Sequence, residues 1–190
     1  MGQTRERLID SATRRFYRDG FRDVGIDQVM DDVGISKTAF YKHFRSKDEL
    51  MLAVLEKQNR WLQGTFRELV EQRAGSGASA ADQLRALMEV VKQIIEDDEF
   101  QGCIFVNVAM EFPLLHQPAH RAAAEHKRAI EAFVEDLASR SGAADPRALA
   151  QDLCLVMEGA YVTRQVTGDA TTIAVARRVA AAVIESHLGA

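Results

Sequence analysis

Proline and glycine are scarce, 3 and 12 in 190 residues. A chain built of many β-turns needs far more of both, so an all-β architecture is excluded. Cysteine occurs twice, too few for a disulfide framework, and the expected compartment is the reducing cytoplasm. Long apolar runs are missing as well. The longest nearly apolar stretch, Cys103 to Met110, falls far below the roughly 18–20 residues that cross a bilayer, so no membrane partner is expected. The N-terminus, Met1-Gly-Gln-Thr-Arg-Glu-Arg7, is charged and leads into no apolar signal segment. Neither sign of charge dominates, with 24 Lys+Arg against 28 Asp+Glu and a net of −4. What remains is 47% hydrophobic and 27% charged, the make-up of a folded chain with one domain or two small ones.

The charge is unevenly spread. Residues 1–48 hold 10 Lys+Arg and 8 Asp+Glu, a net of +2, whereas residues 49–190 hold 14 and 20, a net of −6. Apolar positions recur with a helical period almost throughout. Leu8, Ile9, Ala12 and Phe16 share one face of a first helix that Asp19-Gly20 ends. Ile26, Val29, Met30 and Val33 mark a short second helix that Gly34 breaks. Ser36 caps a third, with Ile35 and Phe40 placed as a hydrophobic staple, and Ser46-Lys47-Asp48-Glu49 reads as a capping box. It opens a long helix over about 47–72, which at 1.5 Å per residue spans about 40 Å. After a Gly/Ser-rich loop at 74–80 come a helix over about 81–97 and an apolar one over 102–112 that Pro113 stops. Three more follow: one from Pro118, one over about 146–165 opened by Asp145-Pro146, and one running to about Leu188. The count is about nine helices.

Helix two, a glycine turn and helix three form a helix-turn-helix, a motif that lays its second helix in the DNA major groove. Ile26, Val29, Val33, Ile35, Phe40 and Phe44, with Phe16, supply a small core. Lys37, Thr38, Tyr41 and Lys42 are left on the other faces, where cations reach phosphates or guanine edges and hydroxyls donate hydrogen bonds. Lys47 begins the long helix, whose free N–H groups also attract a phosphate. The acidic Asp27, Asp31 and Asp32 keep this headpiece only weakly basic, which implies modest non-specific affinity and strong salt dependence.

The segment Arg7-Leu-Ile-Asp-Ser-Ala through Gly20-Phe21, followed by Gly-Ile-Ser-Lys-x-x-Phe-Tyr-x-x-Phe-x-Ser-Lys-x-x-Leu over residues 34–50, resembles the TetR family of transcriptional regulators. The resemblance implies an all-α protein. A three-helix DNA-binding domain, residues 1–48, is joined by a long helix to a larger helical domain, residues 49–190, for ligand binding and dimerisation. It implies a homodimer that binds double-stranded DNA at a palindromic operator, most often as a repressor, and is released by a small molecule. Carried over by position, Ser36, Lys37, Thr38, Ala39, Tyr41, Lys42 and His43 face the groove or backbone, and Lys47 a phosphate. The family often has Thr before the second helix. Gly25 stands there instead, keeping a backbone N–H for a phosphate but no hydroxyl.

In the rest of the chain, polar Asn107 and Glu111 interrupt an apolar helix carrying Phe105 and Met110, so they either pair internally or meet a ligand. Trp61, His126, Phe133, Met157 and Tyr161 are the residues of facing helices expected to complete a ligand cavity. His116, His120 and His126 lie close in sequence, but Pro118 starts a helix between the first two and no cysteine or carboxylate completes a set, so no metal and no cofactor are expected. Cys103 follows Gly102 at a helix start, which suits either a reactive thiol or a small buried residue; Cys154 lies in mid-helix. Ala180, Ala181 and Ala182 permit close backbone approach in the last helix, and by resemblance the last two helices form the dimer interface. Two rivals stand beside this reading. One is an enzyme using Glu111 and His126 as acid and base, for which no nucleophile set or phosphate loop is present. The other is a helical ligand-binding protein without DNA binding.

Overall fold

The computed structural model describes residues 2–189, and these form nine helices and no strand. They are α1 (Gly2–Asp19), α2 (Ile26–Val33), α3 (Lys37–Phe40), α4 (Lys47–Ala74), α5 (Ala80–Ile95), α6 (Ile104–Glu111), α7 (Pro118–Arg140), α8 (Pro146–Thr167) and α9 (Thr172–Leu188). Most boundaries have a local chemical cause. Gly34 sits at φ 71, and the N–H groups of Gly34 and Ile35 close back on the carbonyls of Asp31 and Met30, the paired bonds of a Schellman turn. A residue with a Cβ is strained at that φ, so the glycine that breaks the helical pattern also sets the angle at which α3 leaves α2. Ser36 Oγ accepts from the Ala39 N–H at 3.3 Å and Ser46 Oγ from the Glu49 N–H at 3.1 Å. The expected reciprocal arm of the second cap lands one residue early: Glu49 accepts from the Arg45 N–H at 2.7 Å. Asp145 caps α8 through the Ala148 N–H, with Pro146 at the first helical position.

The chain divides into two compact units, one of residues 1–61 with 104–126 and the other of residues 62–103 with 127–190. The first holds α1 to α3, the start of α4, all of α6 and the start of α7. Leu8, Phe16, Phe21, Phe40, Phe44 and Leu50 are fully buried in it, with the Phe16 and Phe21 rings stacked at 5.1 Å and Phe40 against Phe44 at 5.9 Å. Arg15 grips Asp32 through two hydrogen bonds of 2.6 Å, and Ser11 adds a third at 2.7 Å, so α1 and α2 are tied by polar groups as well as by packing. In the second unit the core runs through Val70, Leu84, Leu87, Val91, Val134, Leu137, Leu149 and Leu153. Arg177 pairs with Glu89 and His187 with Asp152, holding α9 against α5 and α8.

The expectation that α6 is buried nearly all round needs correction. Ile104, Phe105 and Val108 are buried, but Met110 is 77% exposed. The helix is only eight residues long; its i, i+1, i+4 face is buried, Val106, Asn107, Ala109 and Glu111 are half-buried, and Met110 faces out.

Candidate functional site

The segment 36–43 is anchored from below. Phe40 and Phe44 have no measurable exposure or nearly none, and they fix the backbone on which the outward side chains stand. α3 keeps α-helical geometry only over Lys37–Phe40; beyond it the Lys42 and His43 N–H groups bond to the carbonyls of Ala39 and Phe40, a tighter i to i+3 turn. Ser36, Lys37, Thr38, Tyr41 and Lys42 are exposed, Tyr41 by 49%, while Ala39 and His43 are half-buried. Among the described residues neither Lys37 nor Lys42 is paired with a carboxylate, in contrast to Arg15 with Asp32, Arg18 with Asp19, and Lys57 with Glu6 and Asp10. Pairing thus engages Glu6, Asp10, Asp19 and Asp32, while Lys37 and Lys42 on the outward face are left without a carboxylate partner. Gly25 is exposed at the start of α2, but its N–H donates to Gln28 Oε1 at 2.8 Å.

The Arg15 guanidinium and then the Ser11 hydroxyl hold the Asp32 carboxyl well below the ordinary carboxylate range. A folded-state pKa that is depressed adds stability above the unfolded value of about 3.9, and that stability is lost as the pH falls through the folded value. Asp32→Asn is therefore expected to lower the melting temperature at pH 7. The gap to wild type should narrow below about pH 4 and close in stronger acid. Parallel melts from pH 7 to pH 2 check this, and a gap that does not depend on pH refutes it.

Lys47 does not reach outward as expected. Its ammonium donates to the Arg22 carbonyl at 2.9 Å and lies 6.0 Å from the centre of the Phe16 ring; burial pushes its pKa down, against the pull of Glu111. Glu111 resolves the alternative left open by the sequence in favour of internal pairing: its two oxygens accept the N–H groups of Phe21 and Arg22 at 2.9 and 2.7 Å. Nothing local in the sequence points to that pairing, because the donors are backbone groups 90 and 89 residues away.

The expected ligand residues are distributed as follows. In the first unit, His126 stacks on Phe105 at 3.9 Å and its Nδ1 lies 2.8 Å from Asn59 Oδ1; both rings are buried. Asn107 is half-buried, and Trp61, like Met110, is exposed, by 58%. His120 Nδ1 lies 2.9 Å from the Phe112 carbonyl and His116 is exposed. Among the described residues no group of three or more His, Cys, Asp or Glu is placed to hold a metal ion. In the second unit Phe133, Met157 and Tyr161 are buried, and burial pushes the Tyr161 hydroxyl pKa upward. The Lys127 ammonium, half-buried, donates to Cys103 Sγ at 3.3 Å and to Glu158. Burial works against that ammonium, yet its two partners outweigh it and raise its pKa. Cys154 is pushed up to about 12, first by burial and then by Glu131 and Glu158. Two open concavities on the described residues, one lined by Arg73, Glu89 and Lys92 and the other by Asp98, Phe100 and Arg164, include no expected ligand residue.

What the first unit presents to solvent is a helix-turn-helix, the motif with which many regulators enter the DNA major groove. Comparison with known proteins carries this further. The profile of bacterial regulatory proteins of the tetR family matches residues 8–54, and that of the tetracyclin repressor-like C-terminal domain matches residues 80–180. The chain belongs to the TetR family of transcriptional regulators. It is similar to the transcriptional regulator YerO of Bacillus subtilis, 28% identical over 72% of this chain, and to the transcriptional activator FasR of Mycolicibacterium smegmatis, 33% identical over 73% of this chain. The matched stretches span 52% and 60% of those two proteins. The crystal structure of a TetR-family regulator from Streptomyces coelicolor superposes with a TM-score of 0.88 at 28% identity, covering 99% of this chain and 97% of that one. Regulators of this family bind DNA and typically act as homodimers with small-molecule ligands. No helix among the described residues is long and apolar enough to cross a membrane.

Proposed function

We propose that this chain is a cytoplasmic, homodimeric repressor that binds a palindromic operator and leaves it when a small molecule binds. Residues 1–48 are the DNA-binding part, and residues 49–190 bind the ligand and the second copy. The observation that carries the reading is the outward face of residues 36–43, where unpaired Lys37 and Lys42 flank Thr38 and Tyr41 over the buried Phe40 and Phe44. Lys37 and Lys42 contact phosphates or guanine edges, Thr38 and Tyr41 donate to phosphates or bases, and Ala39 and His43 complete the surface. Ser36 meets the backbone with a hydroxyl proton that its capping role leaves available, whereas Gly25 is left out of the set, because its N–H already goes to Gln28 Oε1. Lys47 is left out of this set, because the Arg22 carbonyl engages it.

The ligand residues follow the sequence reading, unit by unit: Phe105, Asn107 and His126 in the first, and Phe133, Met157 and Tyr161 in the second. Exposed Trp61 and Met110 are retained only as groups that a ligand would have to cover, and Glu111 is removed because both its oxygens are occupied. Dimerisation uses α8 and α9, which carry an exposed apolar face of Leu155, Val162, Val166, Val175 and Val179, a kind of surface that marks protein interfaces.

Nuclease footprinting over the protein's own promoter tests the DNA reading. Two protected half-sites are expected, centred about 34–36 Å apart or a multiple of that. The absence of any protected stretch, at every ionic strength tried, overturns it.

A further inference from the structure

We infer that Glu111, at the end of the sixth helix, is a positioning residue of the DNA-binding headpiece, holding the α1–α2 loop at the place from which the helix-turn-helix is built. The inference rests on the reading of the first unit as a DNA-binding headpiece. Phe21 and Arg22 stand between the end of α1 and the start of α2, and the regular backbone ladder offers their N–H groups no acceptor. The carboxylate supplies one oxygen to each, at 2.9 and 2.7 Å. Bonds of this kind, with an ionised acceptor, are about twice as strong as neutral ones.

Two further contacts hold the loop. Lys47 donates to the Arg22 carbonyl at 2.9 Å, so one residue has its N–H on an anion and its carbonyl on a cation. The Arg22 guanidinium lies 5.1 Å from the centre of the Phe112 ring, next to Glu111. Gly20 lies beside the carboxylate, where a Cβ would meet Glu111 Oε1 at an ordinary contact distance of 3.5 Å, and its φ of 90 is the left-handed value that favours glycine. Arg22 is three residues from Gly25, where α2 begins, and α2 is locked to α3 through the turn at Gly34. Fixing the loop therefore fixes where the outward face of residues 36–43 sits.

Charge and position predict opposite signs when the carboxylate is removed. Glu111→Gln takes a negative charge out of a DNA-binding unit, which on electrostatics alone tightens non-specific binding. It also puts an amide NH2 where one acceptor stood, and so frees one loop N–H. The experiment uses the full-length protein and two duplexes: one selected by the wild type from random-sequence DNA, and one scrambled. For Glu111→Gln, affinity for the selected duplex is expected to fall about tenfold or more, on the scale of a lost hydrogen bond to a charged group. Affinity for the scrambled duplex should not fall, and the Phe21 and Arg22 amides should exchange with deuterium faster. Glu111→Asp keeps the charge but withdraws the oxygens by one methylene, so it should lose affinity for the selected duplex too; it carries the test if the Gln variant does not fold. Unchanged affinity for the selected duplex in a folded variant, or an equal fall on both duplexes, overturns the assignment. A wild type that selects no sequence refutes instead the DNA-binding reading on which the assignment rests.

Discussion

Leu155→Glu combined with Val166→Glu is expected to turn a dimer into a folded monomer and to weaken binding to a two-half-site operator by about 10²–10⁴-fold, the range that linking two binding modules contributes. The two side chains are 74% and 77% exposed and lie eleven residues, or about three turns, apart on α8, with Val162 between them on the same face. On α9, Val175 and Val179 are spaced one turn apart and are also exposed. Surfaces this apolar are rare on monomers unless another chain covers them. The substituted positions are outside the core of the second unit, where α8 and α9 are held together by Leu149, Leu153, Ile173, Ala176 and Ala180, so the monomer has no reason to unfold. Ala180, expected from the sequence to allow close approach of a second copy, is buried in this core, while Ala181 and Ala182 are exposed. Light scattering for mass and a gel shift for affinity check the prediction together. A variant that stays dimeric refutes the interface, and a monomer that keeps full operator affinity refutes the need for two copies.

Alanine at Tyr41 or Lys42 gives the second large effect. A base contact is worth about 1–3 kcal/mol, and a two-fold protein loses it twice, so about 2–6 kcal/mol, or roughly 30-fold to 10⁴-fold, is at stake for a side chain that reads a base. The two variants should differ in kind. Each Lys–phosphate contact removed reduces the slope of log affinity against log salt by about 1, so Lys42→Ala flattens it by about 2 per dimer if it meets phosphate. Tyr41→Ala carries no charge change and leaves the slope alone. Neither should alter the melting temperature much, since both side chains are exposed above the buried Phe40 and Phe44. Normal operator affinity in both variants removes residues 36–43 from the recognition surface.

Much of the architecture was legible because its signals are local. Gly34, Ser36, Ser46, Pro118 and the Asp145-Pro146 pair act on groups within a turn of themselves, and helix boundaries fell within two or three residues of where these residues pointed. Burial of α6 was not legible. Its composition is apolar nearly all round, but coverage is decided by which neighbours an eight-residue helix meets, and Met110 stays 77% exposed. Candidate site residues divide the same way. The outward set on 36–43 follows from the positions of Phe40 and Phe44 in one turn, whereas the engagement of Glu111 and Lys47 depends on backbone atoms of a loop that no side-chain pattern marks. The hydrogen-bond partner of His126, Asn59, is likewise 67 residues distant.

The grouping of residues 104–126 with residues 1–61 also bears on how this protein can be cut and recombined. A fragment that stops at residue 61 leaves behind Phe105 with its stacked histidine, and the acceptor for two loop amides, so it lacks parts of its own interior. Grafting this reader onto another family member's sensor therefore requires transplanting two stretches of sequence, and a single crossover after the recognition segment would assemble a headpiece whose first loop has lost its anchor.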